Sequence, residues 1–457
     1  LMSGRGGRSG PLAPLVLLLG FLLVTMGPVL LGLDDFPAKS IDQDRNHLPV
    51  IRAFADALPE VDLRDYDSAT TPGMHLFLAV MVRAGFDDET SLQLASCGFG
   101  AVLVLVAWWF AACVVSSWTA VACVLPLAAS PYVLGNSIWV MTDNLSLALV
   151  AMIIGLSLSR SPSGSRSALS GSMLVLAVLV RQINLWTCAV AGVATLLGLD
   201  PVRRRLPFRD PLDCRRDAVP SVVFGLFLVL TIAILGWFFS LWGGLVPPRF
   251  QVGGDGAAIH AGGGNTAVAP YVLTLFFVYA GPPLFVLLPN WTGDRRIRAI
   301  TIAGAVIGLA IGVILESVPG FGVGRTGGWL WSFAGRTPEF LGRSSMLVIG
   351  SMCGGAAVGA VYGLLVAAGR TRMAVLGLGF ALSFVVASSA NAQVFQRYFD
   401  PPVLLALGWC LVGFAGARTS AGTISSRQVA IAALSSFTMQ ACFAGLTLYR
   451  PLLSAAL

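Results

Sequence analysis

Charge is scarce in this sequence. Only 11% of its 457 residues are Asp, Glu, Lys or Arg, where a soluble domain carries roughly 25%. That shortage excludes a water-soluble globule of this size, because most of the chain has nothing with which to face water. Lysine is almost missing: Lys39 is the only one, and every other basic residue is arginine. Such a bias accords with a GC-rich genome. The eight cysteines (Cys97, Cys113, Cys123, Cys188, Cys214, Cys353, Cys410, Cys442) form no CxxC pair. They therefore suggest neither a metal knuckle nor a disulfide framework. No repeat of fixed period and no inverted halves are visible, which counts against a transporter built from repeats.

What the chain has instead is apolar length. Apolar residues make up 56%, and mean hydropathy is +0.81. A spanning helix needs about 20 mostly apolar residues. Apolar runs predict thirteen spans, near 11–33, 92–115, 118–137, 142–159, 167–181, 183–199, 220–245, 269–290, 299–317, 343–367, 373–389, 401–417 and 428–449. The expected fold is all-α: one polytopic membrane domain over residues 1–457. The run from Leu12 to Leu33 is too long for a typical signal-peptide core and reads as the first span. The stretch 73–86 is apolar but too short to span, and is expected at the interface or re-entrant.

Charge then orients the bundle. With the N-terminus inside, the inside segments hold 17 of the 29 basic residues and only five of the 22 acidic ones. This is the positive-inside pattern, and the clustering explains a net charge of +7 without nucleic acid. The loop 200–219 is the basic inner one. The long segments 34–91, 246–268 and 318–342 fall outside, with all three histidines (His47, His75, His260). A bacterial plasma membrane is favoured, or the endoplasmic reticulum if the chain is eukaryotic. Chemistry is expected on the non-cytoplasmic face.

Polar residues cluster there. Asp42-Gln43-Asp44-Arg45-Asn46-His47 follows the first span; such a group can supply a general base or be a solvated loop start. Asp65-Tyr66-Asp67-Ser68-Ala69-Thr70-Thr71-Pro72-Gly73 ends the loop, and its threonines can bind a ligand or cap a helix. Asp143 starts a span, where it suits the helix dipole or a cavity. Arg181-Gln182-Ile183-Asn184 interrupts an apolar run; a charge at membrane depth is a functional signal by default, unless the arginine snorkels at a hairpin tip. The Gly-rich stretch from Gly253 to His260 is a lid or a linker. Arg397-Tyr398-Phe399 lies in the last large outer turn, and arginine suits phosphate because its planar fork donates two hydrogen bonds.

Taken in order, these segments resemble the dolichyl-phosphate-glucose α-1,2-glucosyltransferase family of the GT-C membrane glycosyltransferases. That family has D-E-x-x-H-x-P-Q in its first loop, where Asp42 to Pro49 stand here. Its W-D-x-x-I-T-T-x-P-G-L-Y is similar to Tyr66 to His75, and its Y-T-E to Met141-Thr142-Asp143. Its R-Q-T-N-I-x-W looks like Arg181-Gln182-Ile183-Asn184-Leu185-Trp186. The G-D-K-x-x-H loop resembles Gly254-Asp255-Gly256 with His260, and the late F-R-Y-F-I-L-P resembles Gln396 to Pro402. The family's D-N-R-H-Y is reduced to Arg325. The acidic pair here is Asp-x-Asp rather than Asp-Glu, and Gly256 replaces a basic residue.

The resemblance implies a helical bundle with one large cavity on the outer face. It implies transfer of a sugar, glucose or another hexose, from a polyprenyl- or dolichyl-phosphate donor to a hydroxyl of a lipid-linked or surface glycan, with inversion. Asp44 or Asp42 would be the base. Arg181 and Arg397 would neutralise the leaving phosphate. Gln182, Asn184, His260, His47, Asp143, Asp67, Thr71 and Arg325 would contact substrate. No cofactor and no divalent metal dependence are expected. The alternative is a transporter or flippase of lipid-linked sugars, which needs similar polar groups nearer the bilayer midplane.

Overall fold

The computed structural model describes residues 11–34, 36–158, 163–197, 218–251, 264–318 and 327–456. His260, Arg325, the Gly-rich stretch 253–260 and residues 200–217 of the basic loop lie outside them.

Helix dominates the described chain. Leu12–Leu30 (α1) leads to Pro37–Asp42 (α2), which passes through a π turn, Gln43–His47, into Leu48–Ala57 (α3). Gly73–Arg83 (α4), Glu89–Ala112 (α5), Ser117–Ala128 (α6), Pro131–Ile138 (α7), Asp143–Ser157 (α8) and Gly164–Val180 (α9) follow. A 3-10 turn, Gln182–Trp186, leads into Thr187–Leu196 (α10). Next come Val219–Trp242 (α11), Val268–Val286 (α12), Leu288–Thr292 (α13), Arg295–Ile314 (α14) and Trp329–Ala334 (α15). Ser345–Ala367 (α16), Thr371–Ser388 (α17), Gln396–Phe414 (α18), Ser426–Ala444 (α19) and Arg450–Ala456 (α20) complete the order. Two short antiparallel hairpins pair Glu339 with Ser344 and Arg418 with Thr423.

Among the described residues, eight helices are long and apolar enough to cross a membrane, or up to nine if the bent pair α6–α7 is one span. The chain is thus a multi-pass helical membrane protein. Each of the thirteen predicted segments falls on helical residues. The predicted spans 142–159, 167–181 and 183–199 form shorter helices, of 15, 17 and 10 residues. Their ends fall where polar residues stand: α8 starts at Asp143, and α9 ends at Val180, before Arg181 and the 3-10 turn that holds Gln182 and Asn184. The apolar stretch after Pro72 is an 11-residue helix, α4.

Local chemistry sets the breaks. The Asp88 side chain accepts from the Ser91 N–H at 2.8 Å and starts α5. Pro126 lies inside α6 and Pro131 opens α7, with Ser130 capping α7 between them. Proline cannot supply the backbone N–H that a continuous helix needs, and the two helices meet at 74°.

One close contact is α14 on α16. Gly304, Gly308 and Gly312 lie one turn apart and face Gly355, Ser351 and Val348. A Cβ on Gly308 would collide with the Ser351 carbonyl oxygen. Small residues let two backbones approach where lipid offers no hydrophobic drive. The Ser351 hydroxyl uses that approach to donate to the Gly308 carbonyl at 2.7 Å.

Candidate functional site

A cavity of about 780 Å³ opens at one end of the bundle. Four elements aim at it through their termini: α8 begins there, α9 and α17 end there, and α18 begins there. Its wall includes Asp42, His47, Asp143, Arg181, Gln182 and Arg397. Ile183, Leu185, Cys188, Leu235, Val386 and Ala387 add apolar lining. A smaller recess of about 80 Å³ adjoins it, shares Asp143, Arg181 and Arg397, and reaches Asn184.

Two ion pairs dominate the polar side. Arg181 pairs with Asp143, and Arg397 pairs with Asp42. Both guanidinium groups also stack on one ring: Arg181 lies 4.9 Å and Arg397 5.0 Å from the Tyr398 centroid. Arg397 Nη2 donates to the Tyr398 hydroxyl at 2.9 Å. Cation–π contact of this kind holds a guanidinium flat against a ring. Side-chain exposures of 17% and 15% for the first pair, and 30% and 25% for the second, leave both partly open to the cavity.

The helical first loop decides which aspartate is present. Residues two apart on a helix point to different sides, whereas residues four apart share one. Asp42 accepts from Asn46 Nδ2 at 3.3 Å, and both line the cavity. Asp44 is exposed and turns the other way, accepting from Ser40 Oγ at 2.6 Å and Gln43 Nε2 at 3.3 Å. Of the two aspartates left open as the base, Asp42 is the one in the cavity wall. Gln43 locks this register. Its Oε1 accepts from the Val140 N–H at 2.7 Å and its Nε2 donates to Glu89 at 2.6 Å, tying the π turn to the segment that delivers Asp143.

Several predicted contacts hold protein together instead. Gln182 lines the cavity, but its amide donates to the carbonyls of Ala69 and Leu245 at 2.9 and 3.1 Å and accepts from the Thr71 N–H at 3.2 Å. Thr71 is fully buried and donates to the Val178 carbonyl at 2.6 Å. Asn184 donates to Ser146 Oγ at 2.8 Å and the Ala177 carbonyl at 2.9 Å. Together they brace the turn that presents Arg181. Asp67 stands outside the cavity lining and pairs with Arg249 at 3.4 Å.

His47 sits in the cavity wall, and its Nδ1 lies 3.0 Å from His75 Nε2. Both rings are buried. Burial pushes the His47 pKa down to about 4, outweighing the opposing pull of Asp42 and Asp143. Burial, with His47 as neighbour, also holds His75 well below its ordinary value.

Tyr398, named in the sequence argument but given no role there, lines the cavity, as do Asn391 and Gln393, which were passed over there. The signal was present. Ser388 to Gln396 is a polar run between two apolar segments, and Tyr398 follows Arg397. Among the described residues no group of three His, Cys, Asp or Glu side chains could hold a metal ion.

No protein-family model and no curated protein matches this chain. Two solved structures align with it, those of ArnT from Cupriavidus metallidurans in the apo state and bound to undecaprenyl phosphate. They cover 92% and 86% of this chain and 78% of theirs, at 15% and 14% identity and a TM-score of 0.37 in both cases. A likeness at that level discriminates neither fold nor chemistry.

Proposed function

We propose that this protein is a membrane glycosyltransferase that moves a sugar from a polyprenyl-phosphate donor to an acceptor hydroxyl. One observation carries the proposal: two arginines, each held by a carboxylate, converge on Tyr398 in a cavity lined by both polar and apolar side chains. Such a cavity suits a ligand with a phosphate head and a hydrocarbon tail. The ordered motifs that resemble the dolichyl-phosphate-glucose glucosyltransferases fit the same positions. They favour glucose or another hexose as the sugar, and a lipid-linked or surface glycan as the acceptor. The positive-inside pattern favours a site on the non-cytoplasmic face.

The step balances within the residues present. Asp42 takes the proton of the acceptor hydroxyl. The acceptor oxygen attacks the anomeric carbon, the bond from that carbon to the phosphate oxygen breaks, and the electron pair leaves with polyprenyl phosphate. The donor is a phosphodiester with one negative charge, and the leaving monoester gains a second. Asp42 loses one charge as it is protonated, so the site's net charge is conserved. Arg397 and Arg181 stabilise the phosphate where the charge builds, which is usually the largest catalytic term. Arg397 faces both Asp42 and the proposed phosphate position, so donor binding shifts it from one anion to the other and frees the base.

The test is a panel of polyprenyl-phosphate sugars offered to purified protein with glycan acceptors, with and without a chelator. Sugar transfer that survives chelation supports the proposal. Tight donor binding with no transfer to any acceptor would point to a carrier of lipid-linked sugars.

A further inference from the structure

Only three histidines occur in the chain, and two of them touch. His47 Nδ1 and His75 Nε2 are 3.0 Å apart, with the rings stacked at 5.2 Å between centroids. We infer that His75 is a positioning residue: it donates its Nε2–H to His47 Nδ1 and so fixes His47 as the tautomer that presents an Nε2–H donor to the cavity. The inference rests on the proposed glycosyl transfer only for the identity of what that donor meets.

The tautomer follows from hydrogen-bond accounting. A contact between two neutral imidazoles needs one protonated and one bare nitrogen. In one arrangement His47 Nδ1–H donates to His75 Nε2. The His75 proton must then sit on Nδ1, which is buried and has no hydrogen-bond partner among the described residues. In the other arrangement His75 Nε2–H donates to His47 Nδ1, and His75 Nδ1 is a bare lone pair. Orphaned buried N–H groups are rarer than under-satisfied acceptors, and stranding a donor costs about 1–3 kcal/mol.

The neighbours offer the Nδ1 atom no rescue. His75 is fully buried among Met74 and Leu78, both themselves 0% exposed. The rings of Phe54 and Tyr66 stand edge-on at 6.4 Å, too far for an N–H to rest on either face. The Tyr66 hydroxyl is committed to the Thr70 carbonyl at 2.5 Å.

His47 lines the cavity, and with Nδ1 turned to His75 the nitrogen left for it is Nε2. Both rings are neutral near pH 7, since burial lowers both pKa values. The cavity thus gains a hydrogen-bond donor that adds no charge beside Asp42 and Asp143. It suits an oxygen of the ligand's phosphate, and it is the wrong tautomer for a base.

The direct test is nitrogen-15 NMR of the imidazoles in the full chain, in nanodiscs at pH 7. His260→Gln and His75→Phe assign the signals. The expected result is Nε2–H with bare Nδ1 for both His47 and His75, and tautomer averaging at His47 once His75 is Phe. A proton on His47 Nδ1 in the native chain overturns the inference. The second arm titrates farnesyl phosphate. His47→Gln, whose amide nitrogen replaces Nε2, should keep binding, while His47→Asn, whose nitrogen replaces Nδ1, should lose about tenfold, the worth of one charge-assisted bond. Equal loss in both variants would count against an Nε2 donor. If the native chain binds no farnesyl phosphate while the tautomers are as stated, the glycosyl-donor proposal fails and the tautomer assignment stands.

Discussion

Asp42 and Arg397 are 355 positions apart in the chain and form an ion pair in the cavity wall. The segment that follows α1 and the first turn of α18 are therefore parts of one site. Arg397 also stacks on Tyr398, and so does Arg181, which has its own carboxylate in Asp143.

Lysine should not replace either arginine. Arg181→Lys and Arg397→Lys keep the charge but lose the planar fork and the stacking on Tyr398. Loss of one charge-assisted hydrogen bond corresponds to about 10–100-fold. Isothermal titration with a polyprenyl phosphate, beside turnover, should show weakened binding and slower transfer in each variant. Native affinity and rate in both would make these arginines structural.

The two aspartates of the first loop should separate cleanly. Asp42→Asn is expected to lower transfer by about 10²–10⁴, the usual contribution of a positioned base, with donor binding retained. Asp44→Asn, on the exposed side of the same turn, should stay within a few-fold of the native rate. A dead Asp44→Asn beside an active Asp42→Asn would reverse the assignment.

The multi-pass helical character was legible in the long apolar runs. The polar interruptions at Asp42, Asp143, Arg181 and Arg397, noted in the sequence, are residues that share one cavity. The roles inside the cavity were less legible, for a geometric reason. Whether Asp42 or Asp44 faces inward depends on the backbone being helical there, which the polar loop composition did not reveal. Thr71, Gln182 and Asn184 look like ligand contacts by residue type, yet their hydrogen bonds are spent on other protein groups, at Val178, Ala69, Leu245, Ala177 and Ser146. Tyr398 was masked because an aromatic beside a membrane helix is ordinarily packing. The His47–His75 contact joins residues from two elements 28 positions apart, and nothing local encodes it.

Acid should destabilise the fold through the histidine pair. The His47 pKa is lowered from 6.5 to about 4, and His75 is lowered as well. Between those values the unfolded chain binds protons that the folded chain does not, so stability rises with pH. It is complete above about 6.5 and is lost as pH falls toward 4. The groups facing His47 are Asp42, Asp143, Arg397 and Arg181, and those facing His75 are Tyr66 and Phe54. Thermal unfolding of the purified protein should show a falling midpoint across this window. The double variant His47→Gln/His75→Phe should flatten it. The same slope in the double variant would assign the effect to other groups.

The α14–α16 contact should be intolerant of bulk. Gly308→Leu puts a side chain where the Ser351 carbonyl stands, so the helices must separate. Overpacking of this kind costs about 1–3 kcal/mol or more. The melting midpoint in detergent should fall, while Ile302→Leu on the lipid-facing side of the same helix, 64% exposed, should leave it unchanged. Equal melting of all three proteins would remove the close crossing from the fold's stability.

The most direct test follows a doubly labelled polyprenyl-phosphate sugar, with one label on the sugar and one on the lipid, added to the purified protein with a glycan acceptor. The account predicts that the labels part in equal amounts, with sugar on the acceptor and polyprenyl phosphate released. It also predicts that Arg397→Ala stops both. Both labels still joined, with the intact lipid-linked sugar moved across the bilayer, would contradict it.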